Sequence, residues 1–385
     1  MTAFVPAPTD LRIREIVAAY PGRVPRPDLS AVEALHAAAS TQFAERSIVV
    51  VGTNGKTSTA MFLERVLRAA GLRTGLTTSP HIRRWGERIA IDGEPVADER
   101  LLAELEQLHR LACDIADLRF FDLLTLAAAA VFAEEHVDVA IYEAGIGGRL
   151  DTTRLVAAPL VVLTSIGLDH QELLGDSEVE VLREKLGVAR TGATVVSAEL
   201  PAALSREATS IAARNRLDLH VAGGLEGSFL ERNAALALSA LRNAPFAVGV
   251  VPDHLAADGV PGRLQRLEIE GVDVLVDAAH NPQGWDELSA LLPPRYVALV
   301  SISSDRPAAA LAASLAEARR VFVTEAWSGR SFDAGELGVV LARAGIETDT
   351  VAEPGIAFEA ALQCAKREQL PLVVYGSSYL LSHVL

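Results

Sequence analysis

SIVVVGTNGKTS, residues 47–58, is the stretch of sequence that decides the fold. Its first five residues form an almost continuous apolar run, which predicts a short strand buried on both faces of a parallel sheet. A loop with two glycines follows, and residues 57–71 then show the spacing of a helix that ends at Gly71, a residue typical of helix C-caps. Strand, glycine loop and helix in this order predict the opening of a βαβ unit.

The loop between this strand and helix has the composition of a phosphate-binding loop. Glycines let backbone N–H groups turn toward phosphate oxygens, and the N-terminus of the helix adds partial positive charge. Lys56 supplies a full positive charge, and the hydroxyl of Thr57 or Ser58 can bind Mg²⁺. The spacing is shorter than the common GxxxxGKS pattern, and an ordinary strand–helix turn is the alternative, but the flanking elements favour phosphate binding. The predicted phosphate contacts are Gly52, Thr53, Asn54, Gly55, Lys56, Thr57 and Ser58.

Short apolar runs alternate with helical stretches along the rest of the chain, apart from a segment with several prolines and glycines at residues 250–263. We place a domain boundary in that segment, which gives domains of residues 1–259 and 260–385. The predicted fold class is α/β, with a mainly parallel-sheet, P-loop-containing ATPase domain followed by a smaller Rossmann-like α/β domain. The runs that predict strands are VDVAIYE, APLVVLTSIG, ATVVSA, GVDVLVDAA, RYVALVSI, RRVFVTEA, IETDTVAE and LPLVVYGSS.

Local patterns add detail to the first domain. Residues 4–10, FVPAPTD, predict an irregular start to an N-terminal extension, and residues 29–44 predict a helix. Asp92 and Gly93, within RIAIDGEPV, predict the turn of a small hairpin.

The composition excludes several classes of function. Of the 385 residues 50% are hydrophobic, which allows a large core, and the formal net charge is −15. Such an acidic chain is not expected to have nucleic acid or an anionic membrane as its main partner. The longest apolar run, residues 123–133, is too short to span a bilayer, and the N-terminus lacks a signal-peptide pattern. Cys113 and Cys364 lack metal-type spacing, and we expect both to be buried, reduced thiols of a cytoplasmic protein.

Glu143 ends the predicted strand VDVAIYE and precedes a loop with three glycines, residues 144–148. A carboxylate at the C-terminal end of such a strand faces the ligand crevice, where it can hold Mg²⁺. A surface glutamate is the alternative, but the glycines indicate that the backbone approaches a ligand closely there.

His170 and Lys185 are less distinctive when taken alone. His170 follows the strand in APLVVLTSIG, where it can be a metal ligand or a phosphate contact, although a single histidine is more often structural. Lys185 lies in a predicted helix, where its local pattern indicates a solvated lysine.

Together these segments resemble the folylpolyglutamate synthase/dihydrofolate synthase family, within the Mur-type ligase superfamily. The resemblance covers roughly residues 47–385, and the matching stretches occur in the family's order. They are GTNGKTST, GLTTSPHIRRWGERIAIDGEPV, FFDLLTLAAAAVFAE, VDVAIYEAGIGGRLDTT, LTSIGLDHQELLGDS, REKLGVARTG, RNAALAL, PGRLQ, VDAAHNP and YGSSYL.

The resemblance implies roles that spacing alone does not. Glu143 and His170 match the family's Mg²⁺ ligands, with the loop hydroxyl of Thr57 or Ser58 as a third. Lys185 matches a lysine that is carbamylated in this superfamily, and the carbamate is an anion that can help to hold a second Mg²⁺. The catalytic residues implied are Lys56, Glu143, His170 and Lys185.

Further residues match nucleotide and substrate contacts of the family. Arg263 in PGRL looks like the arginine that reaches ATP, Asp277 looks like a nucleotide contact, and Arg330 matches another family arginine. The substrate contacts implied are Ser79, Pro80 and His81 on the pterin side, with His280, Asn281, Arg306 and Ser377 in the second domain.

The activity implied is an ADP-forming ligation in which ATP and Mg²⁺ activate a carboxylate as an acyl phosphate. L-Glutamate then takes the acyl group, with dihydropteroate or a reduced folate as the acid. The resemblance also implies a monomer and a hinge near residue 260.

Several departures from the family pattern bear on the substrate. Thr57 stands where folate ligases usually have glycine, Phe229 and Leu230 replace a His-Gln pair, and Asp305-Arg306-Pro307 replaces Asp-Lys-Asp. A ligase for a non-folate acid or amine is therefore one alternative, and a non-catalytic nucleotide-binding module is another.

Overall fold

The computed structural model describes residues 7–20, 25–326 and 329–385. The chain divides into two compact units, the first ending at Ala257 and the second beginning at Asp258. Each unit contains a mainly parallel sheet with helices, which is the α/β architecture expected from the sequence.

The first unit contains eight strands and nine α-helices among its described residues. The strands are β1 (Ser47–Val51), β2 (Thr74–Thr77), β3 (Ile89–Ile91), β4 (Glu94–Pro95), β5 (Val139–Glu143), β6 (Leu160–Leu163), β7 (Thr194–Ser197) and β8 (Asp218–Val221). The helices are α1 (Pro8–Ala19), α2 (Ser30–Ala39), α3 (Lys56–Ala69), α4 (Asp98–Leu111), α5 (Phe120–Glu134), α6 (Gln171–Leu174), α7 (Glu178–Leu186), α8 (Ala202–Asn215) and α9 (Phe229–Arg242).

The sheet of the first unit has the strand order β4-β3-β2-β5-β1-β6-β7-β8. Its neighbours pair in parallel, except that β3 is antiparallel to both β2 and β4. β1 is central, with Val50 beside Glu143 of β5 and Val51 beside Leu163 of β6. Because the carboxyl ends of parallel strands share one edge of the sheet, the loops after β1, β5 and β6 emerge side by side.

The strand, loop and helix predicted for residues 47–71 are confirmed. All five residues of β1 are buried, α3 begins at Lys56, and Gly71 follows the end of the helix with a left-handed φ of 84°. The hairpin turn predicted at Asp92 and Gly93 is also present between β3 and β4, and both residues have positive φ, as type I′ turns require.

The N-terminal segment differs from the expectation. α1 begins at Pro8, inside the stretch 4–10 that was expected to be irregular, because proline is well suited to the first turn of a helix. Residues 4–6 of that stretch lie outside the described residues. The helix predicted for residues 29–44 is shorter, since α2 ends where Ser40 adopts a left-handed φ of 52°.

The two cysteines are both free, but they differ in exposure. Cys364 is buried as expected, whereas Cys113 is exposed, which corrects the expectation of two buried thiols. Cys113 lies in the turn that follows α4, and such turns run over the surface of a protein. Among the helices in the described ranges, none combines the length and the apolar character needed to cross a membrane.

The second unit contains a smaller sheet with the strand order β13-β12-β11-β14-β10-β9, in which β9 pairs antiparallel with β10 and the other neighbours pair in parallel. β9, which the sequence patterns did not predict, precedes β10 as an edge strand. The strands are β9 (Gln265–Ile269), β10 (Val272–Asp277), β11 (Tyr296–Val300), β12 (Ala318–Val323), β13 (Thr348–Thr350) and β14 (Leu372–Tyr375). The helices are α10 (Pro282–Ser289), α11 (Ala308–Ser314), α12 (Ala334–Arg343), α13 (Pro354–Glu368) and α14 (Ser378–Leu381).

Arg26 and Asp122 form a buried ion pair in the first unit. Arg26 Nη1 lies 2.9 Å from Asp122 Oδ2, and the two side chains are only 3% and 1% exposed. Arg26 also donates to the carbonyl of Leu150 at 3.0 and 2.6 Å, while Asp122 accepts from the Arg119 N–H at 2.8 Å and from the Thr152 hydroxyl. The pair therefore joins the segment before α2 to the start of α5 and to the loop after β5.

Replacing Arg26 with Met should destabilise the first unit by about 3 kcal/mol, because it leaves the Asp122 charge buried without its cation. Urea unfolding followed by circular dichroism measures the loss. Arg12→Met is the control, because it removes an exposed pair with Glu106 and should leave the midpoint unchanged. Equal midpoints for Arg26→Met and the wild type would contradict a stabilising role for the pair.

Candidate active site

The loop after β1 is held by the loop after β6. The Thr53 N–H donates to the Ser165 carbonyl at 2.8 Å, and the Asn54 N–H donates to the Ser165 hydroxyl oxygen at 3.0 Å. The Thr164 hydroxyl donates to the Asn54 carbonyl at 2.6 Å, and a Cβ on Gly52 would lie only 1.9 Å from the same hydroxyl oxygen. Thr164 and Ser165 were not among the predicted site residues, although they lie in the matched stretch LTSIGLDHQELLGDS.

Asn233 of α9 is a third residue that the sequence patterns did not single out. Gly55 ends the loop with a φ of 83°, and a Cβ there would lie 2.6 Å from the Asn233 side-chain oxygen. Asn233 therefore borders the phosphate loop, and its only sequence signal is its place in the matched stretch RNAALAL.

Two lysine side chains meet at the Gly52 carbonyl. Lys56 Nζ donates to it at 3.1 Å and to the Thr53 carbonyl at 3.0 Å, while Lys185 Nζ donates to the Gly52 carbonyl at 2.8 Å. The structure thus brings together two of the predicted catalytic residues, one from α3 and one from α7.

Lys185 is only 3% exposed, so the prediction of a solvated lysine from its local sequence is wrong. Burial, with the nearby charge of Lys56 as the next cause, lowers the pKa of Lys185 to about 7, against smaller opposing effects of Asp169 and Asp151. An amine with this pKa is partly neutral at neutral pH, and a neutral amine is a nucleophile.

Glu143 is held by the phosphate loop and by the segment after β2. The Thr57 hydroxyl lies 3.0 Å from both carboxylate oxygens, and the Ser79 N–H donates to Oε2 at 3.0 Å. Of the two candidate hydroxyls, it is thus that of Thr57 that contacts Glu143, while Ser58 is 1% exposed within α3. A carboxylate beside a hydroxyl fits Mg²⁺, which prefers oxygen ligands and completes its shell with water and phosphate.

His170 lies in the loop after β6, immediately before α6, with a left-handed φ of 51°. Its ring nitrogens lie 3.7 Å from a carboxylate oxygen of Asp169 and 3.7 Å from one of Glu172. Across residues 7–20, 25–326 and 329–385, no three His, Cys, Asp or Glu side chains are grouped so that they could hold a metal ion. A cation at Glu143 would therefore depend on the loop hydroxyl and on phosphate oxygens as well.

The residues predicted to contact the carboxylic acid substrate, Ser79, Pro80 and His81, lie on the turn after β2. The peptide bond between Ser79 and Pro80 is cis, and the Nδ1 atom of His81 accepts a hydrogen bond from Arg88 Nε at 2.8 Å. The His81 ring lies 4.4 Å from the Trp85 ring. Burial lowers the pKa of His81 to about 2, with the Arg88 charge as the next cause, so this histidine is neutral at ordinary pH.

The predicted residues of the second unit lie around the ends of its strands. Asp277 is 1% exposed, and its two oxygens accept the N–H groups of Leu264 at 2.8 Å and Ala279 at 2.7 Å. Burial raises the pKa of this carboxyl, against the opposing charge of Arg263 and the two hydrogen bonds. His280 Nδ1 lies 3.0 Å from the Ala278 carbonyl.

The remaining predicted residues of the second unit make local contacts as well. Asn281 caps α10 through the Gly284 N–H at 2.9 Å, and Ser377 caps α14. The Arg306 side chain is 8% exposed, with Nε 3.9 Å from an oxygen of Asp305. The Arg330 carbonyl accepts the N–H of Ser304 at 2.8 Å, and its side chain lies in an exposed turn.

No protein-family model matches the chain. The dihydrofolate synthase/folylpolyglutamate synthase of Escherichia coli K12 is 33% identical over 365 residues, which covers 87% of this chain and 85% of the relative. The chain belongs to the dihydrofolate synthase/folylpolyglutamate synthase family.

Solved structures of the dihydrofolate synthase/folylpolyglutamate synthase family agree with this assignment. Escherichia coli FolC in complex with DHPP and ADP superposes with a TM-score of 0.86 at 27% identity, covering 98% of this chain and 97% of that one. A bifunctional folylpolyglutamate synthase/dihydrofolate synthase with Mn, AMPPNP and L-glutamate bound gives a TM-score of 0.83 at 26% identity, covering 100% and 98%. The likeness therefore spans both units of this family member.

Lys185→Met should stabilise this family member near neutral pH, because it removes a buried amine with a lowered pKa. The pKa is about 7 in the folded protein and 10.5 ordinarily, so the unfolded chain binds more protons between these values. Wild-type stability should therefore rise by roughly 3 kcal/mol as pH increases across that window. Urea unfolding in CO₂-free buffer should give Lys185→Met a higher free energy of unfolding than the wild type at pH about 7. The difference should become smaller by pH about 10. If the difference in free energy of unfolding does not change with pH, the pKa of the Lys185 amine is not lowered in the folded protein.

Gly55→Ala should weaken nucleotide binding at least about tenfold, because the added methyl collides with Asn233 and the phosphate loop must shift. Titration calorimetry with ADP measures the affinity. Gly71→Ala is the matched control, since Gly71 has a similar φ of 84° but no atom within 4 Å of the position that its new Cβ would take. It should cost some stability and no affinity. An equal loss of ADP affinity in both variants would show that a general loss of stability, and not the contact with Asn233, explains the effect of Gly55→Ala.

Proposed function

We propose that this chain is an ATP- and Mg²⁺-dependent, ADP-forming ligase that joins a pterin-bearing carboxylic acid, dihydropteroate or a reduced folate, to the amino group of L-glutamate. The observation that carries the proposal is that Lys56 and Lys185 both donate to the Gly52 carbonyl. At the end of the same loop, the Thr57 hydroxyl contacts the Glu143 carboxylate. The family relationship supports the same reaction, because the relatives are named for it and their structures hold ADP, DHPP and L-glutamate.

We assign the phosphates of ATP to the backbone of the phosphate loop and to Lys56. Successive N–H groups at the start of α3 and the lysine charge can neutralise the transferring phosphate as charge develops on it. Arg263 and Asp277 are assigned to the nucleotide as well. The loop residues are Gly52, Thr53, Asn54, Gly55, Lys56, Thr57 and Ser58.

We assign Mg²⁺ to Glu143, Thr57 and His170, with Ser58 as a less favoured hydroxyl because it is buried in α3. Mg²⁺ bound there would polarise the phosphate oxygens of ATP. A carbamate on Lys185 would supply an additional oxygen ligand, and the buried, partly neutral amine is suited to adding CO₂.

The acid is assigned to the turn of Ser79, Pro80 and His81, whose Ser79 N–H already contacts Glu143. In the reaction a carboxylate oxygen of the acid bonds to the γ-phosphorus of ATP, and the bond from that phosphorus to the β,γ-bridging oxygen breaks to release ADP. The glutamate nitrogen then bonds to the acyl carbon, a proton leaves the nitrogen, and phosphate departs. The further substrate contacts assigned are His280, Asn281, Arg306 and Ser377.

The domain boundaries and the cellular location belong to the same proposal. We place the working domains at residues 1–259 and 260–385. We also propose a cytoplasmic enzyme, because both cysteines are free thiols, as is usual in a reducing compartment.

Purified protein with ATP, Mg²⁺ and L-glutamate should release ADP only when a pterin acid is added, with dihydropteroate and tetrahydrofolate tested separately. The product should be heavier by one glutamyl unit, as mass spectrometry measures. Release that needs some other acid would keep the ligase chemistry and move the substrate outside the folates, in line with Phe229 and Leu230 in α9.

Lys185→Ala should lower that turnover by at least about a hundredfold while ADP still binds, because a group that acts on the transferring phosphate contributes mainly to the chemical step. Calorimetric titration with ADP provides the binding control. A variant that keeps full turnover would remove Lys185 from the mechanism, and the absence of any turnover in the wild type with every acid would favour a nucleotide-binding module.

A further inference from the structure

Gln265 holds the loop that carries Arg263. Its side-chain oxygen accepts the Gly262 N–H at 2.8 Å. On the other side of the same residue, the Gly262 carbonyl accepts the Ala278 N–H at 2.9 Å and an N–H of the Arg263 guanidinium, also at 2.9 Å. The N–H and the carbonyl of Gly262 are therefore both hydrogen-bonded. The N–H is held by the side chain of Gln265, a residue to which no role has been assigned.

The residue after Arg263 is fixed as well. The Leu264 N–H donates to Asp277 Oδ2 at 2.8 Å, and the second oxygen of this buried carboxylate accepts the Ala279 N–H. Arg263 thus lies between two residues whose backbone groups are tied to the start of β9 and to the end of β10.

The backbone of this loop needs such contacts. Gly262 has a φ of 62° and Leu264 a φ of 43°, so a branched, non-glycine residue occupies the left-handed region next to Arg263. L-residues with a Cβ avoid that region, and they keep it only where neighbouring contacts enforce it. If an enforcing contact is lost, the loop can relax to another conformation and Arg263 moves with it.

We propose that Gln265 is a positioning residue for ATP binding, which acts by holding the Gly262 peptide so that the Arg263 guanidinium is presented to the nucleotide. The inference rests on the role proposed above for Arg263. A long side chain amplifies small backbone rotations, and a displacement of about 1 Å at a charged contact can cost much of its effect on binding.

Gln265→Met keeps the length and much of the volume of the side chain but removes the acceptor. The dissociation constant for ADP by calorimetry and the KM for ATP should both rise about tenfold, as expected for one lost hydrogen bond that orders a charged group. The KM values for glutamate and for the acid, and the melting temperature, should change little. Gln265→Glu retains an acceptor at the same distance and should stay near wild type.

Gln363→Met is the matched control, because it makes the same change in the second unit at an exposed hydrogen bond to Glu270. It should leave the ATP parameters unchanged. Gln265→Asn is the second test variant, used alone if the Met variant does not fold. It keeps the amide but withdraws it by one methylene, so it should also weaken ADP binding.

A double-mutant cycle with Arg263→Ala tests whether Gln265 acts through the arginine. In the Arg263→Ala background, Gln265→Met should have no further effect on the ADP dissociation constant. A full tenfold effect in both backgrounds, or wild-type ADP affinity of Gln265→Met and Gln265→Asn, would overturn the inference while leaving the role of Arg263 intact. Wild-type ADP affinity of Arg263→Ala itself would overturn the proposed role of Arg263, and the inference with it.

Discussion

The Gly52 carbonyl, which accepts hydrogen bonds from two lysine side chains, is the constraint on which the site of the first unit depends. Burying one amine beside another cation is unfavourable, so burial and the charge of Lys56 lower the pKa of Lys185. The elements that carry these groups, β1, α3 and α7, are each anchored by buried apolar residues such as Val49, Phe62 and Leu182. A buried group with a strongly shifted pKa beside a second charge is typical of a functional site.

The topology of the sheet explains why motifs spread over more than a hundred residues lie at one edge of the sheet. β5, β1 and β6 are neighbours, so Glu143, the phosphate loop and the segment 164–170 all leave the sheet at one edge. The contacts of Thr164 and Ser165 with the phosphate loop then make two of these segments one hydrogen-bonded assembly. The order of motifs along the chain therefore matters less than the order of strands in the sheet.

The sequence was sufficient where structure follows from local chemistry. The apolar run of β1, the glycine loop, the Asp92–Gly93 turn and the strand ending at Glu143 were all predicted from short patterns. Residues that matter because a distant segment packs on them were missed, as with Asn233 against Gly55. Lys185 is instructive, since it lies on the buried face of α7 with Val181, Leu182 and Leu186. A lysine at that helical spacing among apolar residues was a signal of burial that the local interpretation overlooked.

The hydrogen bond from the Ser79 N–H to Glu143 links two ligand sites of the first unit in thermodynamic terms. The carboxylate proposed to hold the cation and the turn proposed to receive the acid share one contact. If the cation changes the strength of that contact, the conformation of the turn changes, and so does its affinity for the acid. That change in affinity corresponds to a coupling free energy between the two sites. By reciprocity the acid must alter the affinity for the cation by the same factor, so occupancy of either site reports on the other.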